Sequence, residues 1–450
     1  MFTPHTENER QDMLDAIGVE KLEDLFQDVP AIYRFPHLDL PPAMTEMEAL
    51  ENLNYLAGAN DTTRELACFL GAGAYNHYIP AAVDNLLQRG EFYSAYTPYQ
   101  PEISQGTLQA IFEYQSLIAA LTGMDVSNAS HYDGATATAE AGIMALNHFR
   151  FKRTRIIVSP AVNPQYRETL RTYLNGHEQL EIIGDEPGSD PLENPDALES
   201  LLDSNTALLI LQYPDFFGRI FDYTNLIEKA HAAGALVAIA ANPTALAILK
   251  APGDFDADIV VGDGQPLGIP LSYGGPYLGF FATKDEYLRK IAGRLVGESV
   301  DAQGRRGYVL TLTAREQHIR RDRATSNICT NQGLMMLAAT VYLSLLGKHG
   351  LRKVAELCHN KAQYAAQEIA KIPGFTVVDP QPFFHEFIVK CPGPVEDINF
   401  HLLEHGILGG YDLGHDFPAL SEHMLIAVTE MNSRQEIDLL CQVLKESSHD

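Results

Sequence analysis

The stretch Asp258-Ile-Val-Val-Gly-Asp-Gly-Gln265-Pro-Leu-Gly-Ile-Pro270-Leu-Ser-Tyr-Gly-Gly-Pro276-Tyr-Leu-Gly-Phe-Phe281 decides how this chain is read. A β-branched apolar run, a polar turn, an apolar loop with Gly-Gly-Pro and a returning aromatic run spell strand, loop, strand. Outward from it, short apolar runs recur at 155–158, 180–183, 207–211, 236–240 and 259–261, with 277–281 as one more. Helix-like stretches accompany them, among them 105–122 and 138–148. Apolar runs bounded by polar turns and alternating with helices are what parallel strands buried on both faces look like. The expectation is a doubly wound α/β domain over residues 61–330.

Flanking segments have a different pattern. Residues 1–60 read as a helical extension: Thr6-x-x-Glu9 can form a capping box ahead of Met13, Leu14 and Ile17, and two short amphipathic segments follow at 19–26 and 44–56. Residues 331–450 read as a smaller α+β domain. Its pattern is a helical region at 335–346, helix 352–372, strands 376–378 and 386–389, helix 399–405, strand 424–428 and a last helix capped by Ser433-x-x-Glu436.

At 450 residues, the length alone suggests about two or three domains. With 46% hydrophobic and 20% charged residues the chain can bury a large core. Its net charge of −27 argues against nucleic acid or an anionic membrane as a partner. The five cysteines (68, 329, 358, 391 and 441) are scattered without a CxxC, which fits a reducing compartment. The polar start has no apolar leader, and no apolar run reads as membrane-spanning, so a cytoplasmic location is expected.

The chemistry starts from a lysine that is missing. In pyridoxal-phosphate (PLP) enzymes of the aspartate aminotransferase type, a loop like 258–281 carries the lysine that condenses with the cofactor aldehyde. Here that segment has no lysine, and the amide of Gln265 cannot condense. The acid expected after a central strand is replaced at Ile239-Ala-Ala-Asn242, with Ile239 in the acid's place. The group expected over the ring falls on Thr136 in Tyr132-Asp-Gly-Ala-Thr136. Two readings stand on spacing alone: an α/β protein unrelated to PLP enzymes, or a PLP scaffold whose chemistry belongs to a partner.

Other segments draw notice. Tyr96-Thr-Pro-Tyr99-Gln100-Pro-Glu-Ile-Ser-Gln-Gly106 is stiffened by Pro98 and Pro101 and presents Tyr96, Tyr99 and Gln100; Asn76 and His77 lie in the similar Gly71–Tyr78 stretch. Interface packing is the ordinary alternative for such tyrosines. A basic island (Arg289, Lys290, Arg294, Arg305, Arg306, Arg315, Arg320, Arg321 and Arg323) breaks the acidic background, and Arg305-Arg306 reads as a Gly-flanked loop. It could recruit an anionic ligand or acidic partner, or form a solvated face. His401-Leu-Leu-Glu404-His405 matches a zinc-peptidase string, but with sixteen histidines and no third ligand following, no metal is expected there.

Taken together, 70–80, 96–106, 132–136, Arg315-Glu-Gln-His-Ile-Arg-Arg321 and Ala324-Thr-Ser-Asn-Ile-Cys-Thr-Asn331 resemble the glycine decarboxylase P-protein family of the glycine cleavage system. The match is to its N-terminal half, the separate first subunit of the split form, over nearly the whole chain. The resemblance implies a type I PLP-enzyme fold with a mixed, mostly parallel seven-stranded sheet. It also implies a partner second subunit that holds PLP on its own lysine, in a His-Lys pair where this chain has Gly264-Gln265. The assembly implied is a heterodimer or α2β2 tetramer that binds glycine, releases CO2 and transfers the aminomethyl group to the lipoyl arm of H-protein. On that basis Asn76, His77, Tyr96, Tyr99, Gln100 and Thr136 are candidates for the partner's active site or lipoyl channel. Arg305, Arg306, Arg320 and Arg321 are candidates for docking H-protein. Alternatives are a stand-alone PLP enzyme using Lys250 or Lys284, and a pure scaffold.

Overall fold

Successive residues of Thr206–Tyr213 point into two separate apolar layers: Leu209 and Leu211 into one, Leu208 and Ile210 into the other. The neighbouring strand does the same, with Val237 and Ile239 opposite Leu236, Ala238 and Ala240. Side chains alternate along a strand, so a run apolar at every position must be covered on both faces. One cover comes from helices Gln105–Thr122 and Thr224–Ala232 with the start of Gly333–Ile369. The other comes from helices Gly134–His148 and Pro164–Leu174.

The computed structural model describes residues 4–94, 96–177, 179–186, 188–328, 332–378 and 381–447; Cys329, Thr330 and Asn331 of the motifs above lie outside them. The main sheet has seven strands, in the order Val126–Ser127, Gly279–Thr283, Ile259–Asp263, Leu236–Ala241, Thr206–Tyr213, Arg155–Val158 and Glu181–Ile183. All neighbours pair in parallel except those of Gly279–Thr283, which runs against both of its partners. The fold is thus α/β with a mixed, mostly parallel sheet.

A second sheet of four antiparallel strands (Thr376–Val377, Glu386–Lys390, His423–Ala427 and Tyr411–Asp412) forms the C-terminal part. It packs against the end of Gly333–Ile369 and against helices Val395–Glu404 and Arg434–Ser447, sharing one core through Phe387, Ile426, Leu402 and Leu440. The predicted cap is present: Ser433 Oγ accepts from Glu436 N at 3.1 Å. Ala67–Cys68 pairs in parallel with Ile407–Leu408, which attaches the stretch before residue 80 to this subdomain. The expected 335–346 and 352–372 helices are one element, Gly333–Ile369, kinked where Gly347 takes φ 55°. By length and composition that helix could span a membrane, contrary to the sequence reading, but Met336, Ala339 and Tyr342 bury it in the core.

A hairpin of Leu295–Val300 with Arg306–Thr311 was not foreseen, and Arg305-Arg306 lies at its tip. Residues up to Asp61 form their own compact unit. Its helices Glu7–Ile17 and Glu46–Ala57 start at capping boxes on Thr6 and Thr45, and none of its described residues is buried.

Candidate functional site

Ligands of open α/β sheets bind beyond the carboxyl ends of the strands. Here that region holds Gln212 near the end of one strand, Asn242 just after the next, Asp263 ending a third with Gln265 beyond it, and the N-terminus of helix Gly134–His148. The cavity between them, lined by Gly73, Tyr75, Tyr166, Gln212, Asn242 and Asp263, measures about 30 Å³. That is about one water molecule's share of the liquid, whereas pockets for organic ligands run to about 300 Å³ or more.

Three sets of side chains narrow it. Gln265 is buried, and both polar atoms of its amide are engaged: Oε1 accepts from Tyr75 N at 2.8 Å, and Nε2 donates to Tyr75 O at 2.9 Å and Ile269 O at 2.8 Å. Tyr75 in turn donates from its phenol to Glu386 Oε2 at 2.7 Å, and Glu386 Oε1 accepts from Ala72 N at 2.8 Å. The helix N-terminus is taken by acids. Gly134 N donates to Asp263 Oδ2 at 3.1 Å and Thr136 N to Asp133 Oδ1 at 2.7 Å. A phosphate would need those same N–H groups. Tyr166 fills the space above Gly134, where even a methyl group would collide with its phenol.

Burial pushes the Asp263 carboxyl up to about 7, against the pull of the Gln265 and Gly134 N–H groups, and Asp133 adds to the rise. Glu386 is likewise pushed to about 7, chiefly by burial. A carboxyl beside Gly134 that is half protonated near neutrality caps the helix with little charge, and an added phosphate would have no cation to meet. The residues present therefore do not fit PLP.

The sequence-predicted residues fall into distinct settings. Ile239 does not stand at the acid's place: it is fully buried in the core on the far face, while Ala240, Ala241 and Asn242 line the cavity. Thr136 closes a capping box with Asp133. Lys284 is tied to Asp258 at 2.7 Å and Asp256 at 2.8 Å, and Lys250 lies over the Phe255 ring at 4.2 Å, so both are engaged away from the cavity. Asn76 O accepts from Thr429 Oγ1 at 2.6 Å. His77 is buried, with Nδ1 2.7 Å from Glu430 Oε2, and Tyr78 N donates to Glu430 Oε1. Burial would raise the Glu430 carboxyl, but His77, with the backbone N–H groups of Tyr78 and Glu430, outweighs it and holds the group down at about 2.

Tyr96, Tyr99 and Gln100 face outward, Tyr96 with 91% of its surface exposed. Their loop is pinned by Gln105, which donates to Pro101 O at 2.7 Å and Tyr308 O at 2.9 Å and accepts from Tyr308 N at 2.8 Å. Tyr99 also meets the basic island: Arg294 Nη2 donates to its hydroxyl at 3.2 Å, His318 packs edge-on at 5.3 Å, and Arg294 pairs with Glu316 at 3.2 Å. The hairpin tip is less bare than the sequence suggested, since Arg305 pairs with Asp301 at 2.7 Å and Arg306 with Glu298 at 3.0 Å. Arg320 Nε donates to Ala314 O at 3.1 Å, and Arg320 and Arg321 remain exposed.

Against this geometry, the family model "Glycine cleavage system P-protein" matches residues 1–444. The chain belongs to the glycine cleavage system P-protein family. Among its relatives, probable glycine dehydrogenase (decarboxylating) subunit 1 of Thermomicrobium roseum is 53% identical over 448 residues, covering 100% of both chains. The Desulforamulus reducens protein of the same name is 54% identical over 441 residues, covering 98% of each. A crystal structure of glycine decarboxylase (P-protein) in inhibitor-bound form superposes with a TM-score of 0.89 at 42% identity, covering 99% of each chain. A Burkholderia pseudomallei sphingosine-1-phosphate lyase (TM-score 0.66, 15% identity, 93% and 94% coverage) shares the fold alone.

P-protein features the sequence reading missed are Asp263, Tyr166 and the Tyr75–Glu386 pair. Asp263 left a trace, being an acid at the end of the otherwise apolar run Ile259-Val-Val-Gly. Glu140 left none: burial pushes it to about 7 in the interior of helix Gly134–His148, where Ser326 Oγ donates to it at 2.6 Å.

Proposed function

We propose that this P-protein chain is the subunit without PLP of a two-subunit glycine decarboxylase, glycine dehydrogenase (aminomethyl-transferring), and that the second subunit holds the cofactor on its lysine. The observation that carries this reading is the buried Gln265, whose amide is spent on Tyr75 and Ile269 where the cofactor lysine would stand. The subunits associate as a heterodimer or α2β2 tetramer in the cytoplasm, and the aminomethyl group passes to the lipoyl arm of H-protein. The exposed loop of Tyr96, Tyr99 and Gln100 meets the partner's pocket or lipoyl channel, and Asn76, His77 and Thr136 are further candidates for that contact. Arg305, Arg306, Arg320 and Arg321 offer H-protein a cationic face; the two hairpin pairs are exposed, and such pairs hold by only about 0–1 kcal/mol, so an acidic partner can compete for them.

Co-expression with the second subunit tests the proposal. The isolated chain should carry no PLP, and the complex should carry it on the partner and exchange CO2 with glycine. Tyr96→Phe and Gln100→Ala should lower exchange without dissociating the complex. Unchanged exchange would leave the loop a packing element. The pair Arg305→Glu with Arg306→Glu should weaken apparent H-protein affinity at low salt, and no change there would remove the docking face.

A further inference from the structure

The His401-Leu-Leu-Glu404-His405 string has in space what it lacks in sequence. Helix Val395–Glu404 packs its Ile398 and Leu402 against Ile437, Leu440 and Leu444 of the last helix, Arg434–Ser447. That contact brings Glu446 to the two histidines, and one donor atom from each of His401, His405 and Glu446 lies within 4.8 Å of the others. Glu404 is not among them.

The surrounding contacts are those of a ligand set. His405 Nδ1 lies 2.9 Å from the His401 carbonyl, a bond that requires the proton on Nδ1 and leaves the Nε2 lone pair free. That Nε2 faces Glu446 Oε2 at 3.9 Å. The other Glu446 oxygen is held by Gln442 Nε2 at 3.1 Å, which orients the carboxylate. His401 Nε2 is buried without a partner among the described residues, although a buried polar nitrogen normally has one. Metal-bound histidines characteristically spend their second ring nitrogen on a carbonyl or carboxylate, and their carboxylate co-ligands are hydrogen-bonded in turn.

We propose that His401, His405 and Glu446 bind one divalent transition-metal ion, with zinc the best match to two imidazoles and a carboxylate plus a water. The ion clamps the C-terminal helix to helix Val395–Glu404. A chain with net charge −27 favours cation capture generally, but among the described residues this cluster alone presents three ready donors. The one other candidate among the described residues, His77, Cys358 and Glu430, is already closed by its own hydrogen bonds, at 2.7 Å and 3.3 Å.

Untagged full-length protein, stripped with a chelator, is titrated with Zn2+ against a chromophoric zinc indicator. One equivalent should bind, and the thermal midpoint should rise on zinc addition. His405→Ala and Glu446→Gln are exposed changes and should each weaken that equivalent on the order of 10-fold or more, removing the thermal shift. His37→Ala, in the N-terminal unit, should change neither. Co2+ in place of Zn2+ should give d–d bands without a thiolate charge-transfer band. No bound equivalent, undiminished affinity in both variants, or a thiolate band pointing to Cys358 would each overturn the proposal.

Discussion

Replacing Gln265 with lysine restores the residue that the loop lacks and should still give no cofactor site. Gln265→Lys removes the acceptor for the buried Tyr75 N–H, whose orphaning costs about 1–3 kcal/mol. The new amine is buried beside the Tyr75 and Ile269 backbone, and the neighbouring cavity of about 30 Å³ offers one carboxyl, itself raised to about 7. Full burial lowers a lysine pKa by about 3–5 units; with the group neutral in the fold and an unfolded pKa near 10.4, deprotonation at pH 8 costs about 3 kcal/mol. The sum is about 4–6 kcal/mol at pH 8, a large part of a typical folding free energy. The sign is a further check. The unfolded lysine binds a proton that the folded one has lost, so stability should rise with pH up to about 10. Gln265→Leu, which loses the hydrogen bonds without adding a base, should lack that slope. Urea denaturation of parent and both variants at pH 8 and 9.5 reads the difference, and borohydride treatment with PLP reads covalent capture. A lysine variant as stable as the parent and trapped stoichiometrically as a pyridoxyl adduct would refute the closed-cavity argument.

Glu386→Gln tests the buried acids. The Glu386 folded pKa of about 7 lies above its unfolded value, so its stabilising contribution is complete below about pH 4.5 and is lost as pH rises to 7, a change of about 3 kcal/mol. The variant should flatten the fall in urea stability between pH 5 and 8, and an undiminished fall would count against the assignment. His77→Ala removes the side-chain hydrogen bond to the buried Glu430 carboxylate and should cost about 1–3 kcal/mol by denaturation at neutral pH. Gly134→Ala drives a methyl group against Tyr166, with Asp263 N only 2.8 Å from its carbon, and should cost at least about 1–3 kcal/mol in a thermal melt.

The strands of the main sheet could be read because each is a local apolar run, and a parallel strand covered on both faces leaves that mark in its own few residues. The hairpin Leu295–Thr311 could not: its glycines, arginines and acids are half solvated, and its pairing was hidden beneath what looked like a charged island. Ile239 was misplaced by the same physics that made its strand visible. Adjacent residues face opposite sides, so a one-residue error moves a side chain from cavity to core. The missing lysine needed only local sequence. The groups that seal its former place come from Tyr75, Tyr166 and Glu386, far apart in the chain, and no spacing rule joins them. Glu446 was hidden for the same reason, since it meets His405 only once two helices have packed.

Tyr75 has a mechanical consequence as well. Its backbone is bolted to Gln265 at the end of the large sheet, while its phenol is bolted to Glu386 on the C-terminal sheet. Enzymes that clamp on substrate by rocking two lobes need a compliant seam between them; here Tyr75, with the backbone bonds of Phe384 to Gly218 and Ile220 to Pro382, rivets that seam, and the lobes should travel as one block. The Tyr75 amide would then exchange its hydrogen for deuterium only as fast as the whole molecule comes apart.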